Sequence, residues 1–211
     1  MGVAVAAPAT APGRPTARAL AVSLAMAAAA GAATYAGNAL IVAGFPDRPA
    51  PRDLLFELVP YYAPVRYVTA AALIAALTLF AFHVLTRARE DLPRIVTVVS
   101  LMYLLRAAIM VLTPLASAQG EGPFVFSVVQ YGMFPSGHAA VTWLCARLTD
   151  PARAPRLRAW LYVLAVVEWV TLVAAHGHYS IDVVGGVLLA YFVDREWQSG
   201  RLFGPLKRAL G

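Results

Sequence analysis

Two stretches of the chain hold residue types able to do chemistry: FPSGHAAVTW, residues 134–143, and HGHYSIDVVGG, residues 176–186. His178 and Asp182 stand four apart, a spacing that puts both on one face of a helix start. A carboxylate so placed can hold an imidazole in one tautomer and stabilise its charged form. An imidazole held in that way is a competent nucleophile. Ser180 is placed to cap the helix that begins here, which would set the direction of Asp182. In the first stretch, Pro135 and Gly137 permit a sharp helix start. The first-turn amides and the Ser136 hydroxyl can then face an anion such as phosphate. His138, in the same turn, is able to donate a proton to a leaving oxygen. Each stretch taken alone also reads as a capped helix with an incidental histidine. His176 reads equally as a spare acid or base and as an interfacial residue.

The elements that carry these residues are apolar. Of 211 residues, 60% are hydrophobic and 13% charged, where a soluble domain carries about a quarter. Long apolar runs with sparse charge indicate a polytopic membrane protein. The net charge of +6 comes from basic residues between apolar runs, a topology signal rather than a nucleic-acid surface. Cys145 is the lone cysteine, which excludes an internal disulfide. Residues 1–17 are rich in Ala, Pro and Thr and are expected to be a disordered cytoplasmic N-terminus.

The fold expected is all-α, a six-transmembrane-helix bundle over residues 18–198, followed by a cytoplasmic tail at 199–211. The spans are predicted at 19–45, 65–85, 95–116, 136–149, 157–175 and 181–197. The fourth is short for a bilayer that needs about 20 residues. AMAAAAGAATYA in the first run offers small-residue cleavage sites, but the run is longer than a signal-peptide core. Whether it is cleaved stays open. Residues 46–62 read as a Pro-rich loop with a short interfacial helix, and residues 117–135 as a loop holding Gly120, Gly122 and Pro123.

Thirteen of the 17 Lys and Arg residues fall on the side of the two termini, and three, Arg48, Arg52 and Arg66, on the other. This asymmetry places both termini in the cytoplasm. Ser136, His178 and Asp182 then meet at the outer face. The Ala-rich, Arg-over-Lys composition is compatible with a GC-rich bacterial genome, hence an inner membrane with a periplasmic site. The last cation, Arg106, lies inside the third span, in LMYLLRAAIMVLTPL. A charge at that depth needs a partner. Either Glu168, at similar depth with Asn38, pairs with it, or it reaches up to a substrate phosphate. No H-E-x-x-H or cysteine ligand set supports zinc, so neither metal nor cofactor is expected.

These motifs resemble the type 2 phosphatidic acid phosphatase (PAP2) superfamily and, within it, the sphingomyelin synthase-like branch. FPSGHAA is similar to the superfamily's second motif, and HYSIDVVGG to its third, in the H-Y-[ST]-x-D-V form of the branch. RPAPRDLLFELVP, with Asp53, is a loose match to the branch's first Pro-rich motif. YLLRAAIMVLTPL, with Arg106 and Thr113, is similar to its second. The resemblance covers residues 48–186. It implies that His178 attacks phosphorus with Asp182 in support, that His138 protonates the leaving group, and that a phospho-histidine passes its group to a lipid alcohol or to water without a metal. Ser136, Gly137, Arg106, Tyr179 and Asp53 are the residues it implies for substrate binding.

Two departures matter. No K-x6-R-P is present, and Thr171 and Leu172 stand where a plain phosphatase carries S-R. Tyr131, Gly132 and Met133 stand where synthases show C-G-D, which leaves the donor headgroup open. The resulting expectation is a lipid phosphotransferase that takes a phospholipid donor and a ceramide- or diacylglycerol-type acceptor. A lipid phosphate phosphatase and a non-catalytic lipid carrier are the alternatives. Oligomeric state is not legible.

Overall fold

The computed structural model describes residues 15–118 and 132–210, and every regular element among them is helical. The elements are α1 (Ala17–Gly44), α2 (Leu54–Leu58), α3 (Val65–Arg87), α4 (Leu92–Leu112), α5 (Gly137–Leu148), α6 (Pro155–Ala174), α7 (Ser180–Ser199) and α8 (Gly204–Ala209). A 3-10 turn at Arg89–Asp91 leads into α4. Most of the N-terminal segment expected to be disordered, and the loop with Gly120, Gly122 and Pro123, lie outside the described residues.

Helix ends follow local chemistry. Thr16 caps α1 by accepting the Ala19 N–H, and Asp53 caps α2 by accepting that of Leu55. Prolines open α4 and α6, where a missing N–H costs nothing. The third predicted span runs to residue 116, but α4 stops at Leu112. Thr113 precedes Pro114, whose ring disfavours helical backbone in the residue before it, and Thr113 lies outside the helical region at φ −138° and ψ 70°. The C-terminal tail is not featureless: α8 packs against α7 and α1.

Four stretches are long and apolar enough to cross a membrane: Ala17–Gly44, Val65–Arg87, Arg89–Leu112 and Pro155–Ala174. Large apolar side chains on α3, α6 and α7, among them Phe82, Val170 and Leu188, point outward, as lipid-facing residues do. The other two helices of the expected six differ in kind. The 20 residues of α7 include Asp182, Asp194, Arg195 and Glu196. α5 has only 12 residues, a length of about 18 Å at helical rise.

The short α5 is the centre of the bundle. It packs on α3, α4, α6 and α7, and eight of its residues are buried. Gly137, Ala139, Ala140 and Ala146 supply the small surface that lets neighbouring backbones approach. α1 lies along α4, and α3 along α6, where the Thr69 hydroxyl donates to Thr171 Oγ1 at 2.8 Å. α5 and α7 run side by side in the same direction. At their C-terminal ends, Arg147 bridges to buried Asp194 at 2.6 Å, and Gln198 donates to the same carboxylate. Their N-terminal ends meet at the site.

Candidate active site

The start of α5 is built by Ser136. Its backbone is extended, and its hydroxyl oxygen accepts the Ala139 N–H at 3.3 Å. Its own N–H donates to the Asp182 carbonyl at 2.9 Å, which ties the start of α5 to the first turn of α7. Ser136 has no exposed surface. Its hydroxyl oxygen therefore caps α5. Gly186 makes the crossing possible. A Cβ there would lie 2.3 Å from the Ser136 carbonyl oxygen. Gly185 likewise receives the Phe134 ring, with a hypothetical Cβ only 2.5 Å from it.

The imidazole–carboxylate pair forms at the start of α7. His178 Nδ1 lies 3.1 Å from Asp182 Oδ2, and the same oxygen accepts the Tyr179 N–H at 3.1 Å. Asp182 is wholly buried and His178 nearly so. An ionised carboxylate only accepts, so the shared proton lies on Nδ1 and Nε2 carries the lone pair. The His138 ring stands edge-on to that of His178, with centroids 5.6 Å apart. Two imidazoles 40 residues apart in sequence thus lie side by side.

Arg106 corrects one expectation outright: Glu168 is not its partner. Its Nε donates to the Pro135 carbonyl at 2.9 Å and its Nη2 to that of Gly132 at 2.7 Å. A Cβ on Gly137 would sit 3.1 Å from Arg106 Nε, so the guanidinium lies against the first residue of α5. Its charge adds to the positive end of that helix dipole. Glu168 instead takes a hydrogen bond with Thr142 Oγ1 at 3.3 Å.

Asp53 stands beside the pair but is spent on the protein. One carboxylate oxygen accepts from the Leu55 N–H at 2.9 Å and the Ser180 hydroxyl at 3.1 Å. The other accepts the Ser180 N–H. Ser180 is therefore not the cap of α7 that its position suggested; Tyr179 is the N-cap residue, and Asp53 receives both Ser180 donors. The carboxylate also meets the positive end of α7. His176 is committed too. Its Nε2 meets the Val59 carbonyl at 3.1 Å, and its ring stacks on Phe56 at 4.0 Å. These contacts make it the dock for α2. Its φ of 47° is left-handed, a conformation that these contacts hold in place.

Tyr179 is 3% exposed and packs on Phe56. Burial first, then the Asp182 and Asp53 carboxylates, raise its phenol above the usual value, so it stays neutral. Sequence reasoning missed Phe56 and Thr142. Neither carries a signal in a greasy helix, and each is made relevant only by a neighbour from another element.

His138, His178, Asp182, Ser136, Gly137, Arg106 and the α2 loop thus converge at one end of the bundle. Together they offer a lone pair on an oriented imidazole, a second imidazole, helix amides and a fixed cation. That inventory suits phosphoryl transfer. No curated protein matches the chain. Residues 133–197 match the family described as PAP2 superfamily C-terminal, a stretch that contains both imidazoles and Asp182. The match supports the PAP2 superfamily, and with it an enzyme of the lipid phosphatase or phosphotransferase type.

Proposed function

We propose that the chain is a membrane phosphotransferase that moves a phospho-headgroup from a phospholipid to a lipid alcohol of the ceramide or diacylglycerol type. The observation that carries this reading is the pair of imidazoles, 5.6 Å between centroids, one of them held by buried Asp182 at 3.1 Å. In the first step His178 Nε2 attacks phosphorus and the P–O bond to the donor lipid breaks. His138 gives its proton to the departing alkoxide. In the second step the acceptor hydroxyl loses its proton to His138 and attacks phosphorus, and the P–N bond to His178 breaks. Asp182 stabilises the cationic imidazole between steps. Charge on the phosphoryl oxygens is met by the first-turn amides of α5 and by the field of Arg106. Asp53 is a positioning residue, since both its carboxylate oxygens are bound to the protein, and Ser136 caps the helix whose first-turn amides face the phosphoryl group.

The same reading places six helices across the bilayer, with the short α5 enclosed by α3, α4, α6 and α7. Both termini are cytoplasmic and the site opens on the outer side of a bacterial inner membrane. The support is the distribution of Lys and Arg, thirteen against three, because the site lies at the poorer end.

The test uses purified protein in lipid–detergent micelles. Phosphatidic acid, phosphatidylcholine and phosphatidylethanolamine labelled in the phosphate are supplied with ceramide or diacylglycerol, with His178→Ala as control. A labelled new lipid that His178→Ala does not form supports the transferase. Free labelled phosphate or phospho-alcohol alone makes water the acceptor and the protein a phosphatase. No turnover on any donor overturns the enzyme reading in favour of a lipid carrier.

A further inference from the structure

Beneath His138, one turn into the bundle, lies a carboxyl group that the mechanism above does not use. Glu168 of α6 has no exposed surface. It takes part in none of the salt bridges among the described residues. Its Oε1 is buried without a hydrogen-bond partner, and its Oε2 has Thr142 Oγ1 alone at 3.3 Å. A carboxylate so enclosed would forgo nearly all the hydration that an ion requires.

The hydrogen count around Thr142 decides its state. Thr142 Oγ1 lies 3.0 Å from the His138 carbonyl, 3.3 Å from that of Ala139 and 3.3 Å from Glu168 Oε2. All three neighbours are oxygens, and a hydroxyl has one hydrogen. The shortest contact is the bond back to residue i−4 that a helical threonine commonly makes. With that hydrogen on the His138 carbonyl, Thr142 Oγ1 faces Glu168 Oε2 as one acceptor against another unless Oε2 carries a proton.

We propose that Glu168 is a neutral carboxylic acid that donates to Thr142, and that this two-link chain to the His138 carbonyl positions the first turn of α5. Glu168 is then a positioning residue for His138, and its part in turnover rests on the phosphotransferase reading above. It locks α5 to α6 beneath the reacting point, as the Ser136–Asp182 bond locks α5 to α7 beside it.

The experiment has a spectroscopic arm that needs no turnover. The infrared difference between wild type and Glu168→Gln is expected to show a protonated-carboxyl C=O band, shifted in Thr142→Val. A carboxylate band in its place overturns the proposal. The kinetic arm uses phosphate-labelled phosphatidic acid and phosphatidylethanolamine in micelles. Glu168→Leu, similar in size but unable to donate, is expected to lower kcat about tenfold with KM little changed, the loss of roughly one hydrogen bond. Glu168→Gln, whose amide N–H replaces the acid proton, restores kcat to within about threefold of wild type. Equal activity in Leu and Gln variants shows that the side chain only fills space and overturns the proposal. So does a folded Glu168→Gln variant as impaired as Glu168→Leu. A wild type without activity on any lipid refutes the phosphotransferase reading and leaves the infrared result standing on its own.

Discussion

The His178–Asp182 bond is a single contact of 3.1 Å in a site where both partners are buried. Removing the carboxylate charge leaves the ring free to take the other tautomer, which puts a hydrogen where the nucleophilic lone pair belongs. Asp182→Asn is expected to lower kcat at least about a thousandfold with little change in KM, read by steady-state kinetics on labelled lipid. On the proposed mechanism His178→Ala is expected to abolish formation of a phosphate-labelled protein intermediate, checked by rapid quench. Arg106 is different in kind, because its hydrogen bonds run to the backbone carbonyls of Gly132 and Pro135. Arg106→Lys keeps the charge but cannot hold both carbonyls at once. It is expected to cost about 2 kcal/mol of stability, the worth of one charged hydrogen bond, and to lower activity as the loop before α5 loosens. Thermal unfolding in detergent, followed alongside turnover, checks both effects.

At the scale of elements, the site depends on α5 and α7 touching at their starts. Gly186 sets the distance, since a methyl group there meets the Ser136 carbonyl at 2.3 Å. Gly186→Ala is expected to destabilise the protein by about 1–3 kcal/mol through forced separation of the two helices, and to depress activity beyond that loss. Gly31→Ala is the control. Nothing lies within 4 Å of a Cβ at that position, and alanine is favoured over glycine inside a helix by roughly 0.5–1 kcal/mol. Its unfolding midpoint is expected to equal or exceed wild type. α2 is held by Asp53 and His176 instead of by its own five residues. Asp53→Ala strips Ser180 of its acceptor and α2 of its cap, and is expected to speed proteolytic cleavage within residues 46–62, followed by mass spectrometry.

At the scale of the molecule, α3, α4, α6 and α7 enclose the short α5, and α1 lies along α4. A helix of 12 residues, about 18 Å long, suffices for α5 because its neighbours are protein. On the proposed six-span reading, in a hydrocarbon layer about 30 Å thick, that length recesses the site beneath one surface. The orientation is testable with single cysteines in a Cys145→Ser background. Leu54→Cys on α2 is expected to react with a membrane-impermeant maleimide in intact cells, and Arg153→Cys only after permeabilisation. The reverse pattern would turn the protein over and set the site against the cytoplasm.

Apolar runs, prolines at helix starts and the four-residue spacing of His178 and Asp182 are local properties, and local physics determined them from the sequence alone. The positions of the helices, the short α2 and the imidazole–carboxylate pair were legible for that reason. What Arg106, Asp53, Ser180 and Glu168 bind was decided by tertiary structure. Each sits where several partners are open to it along the chain: Arg106 had Glu168 at similar depth, yet it holds two carbonyls of the loop before α5. A buried polar group takes whichever partner the packing delivers within about 3 Å. That delivery depends on Gly186 and Gly137 letting backbones approach, a property of two helices together that no window of sequence contains.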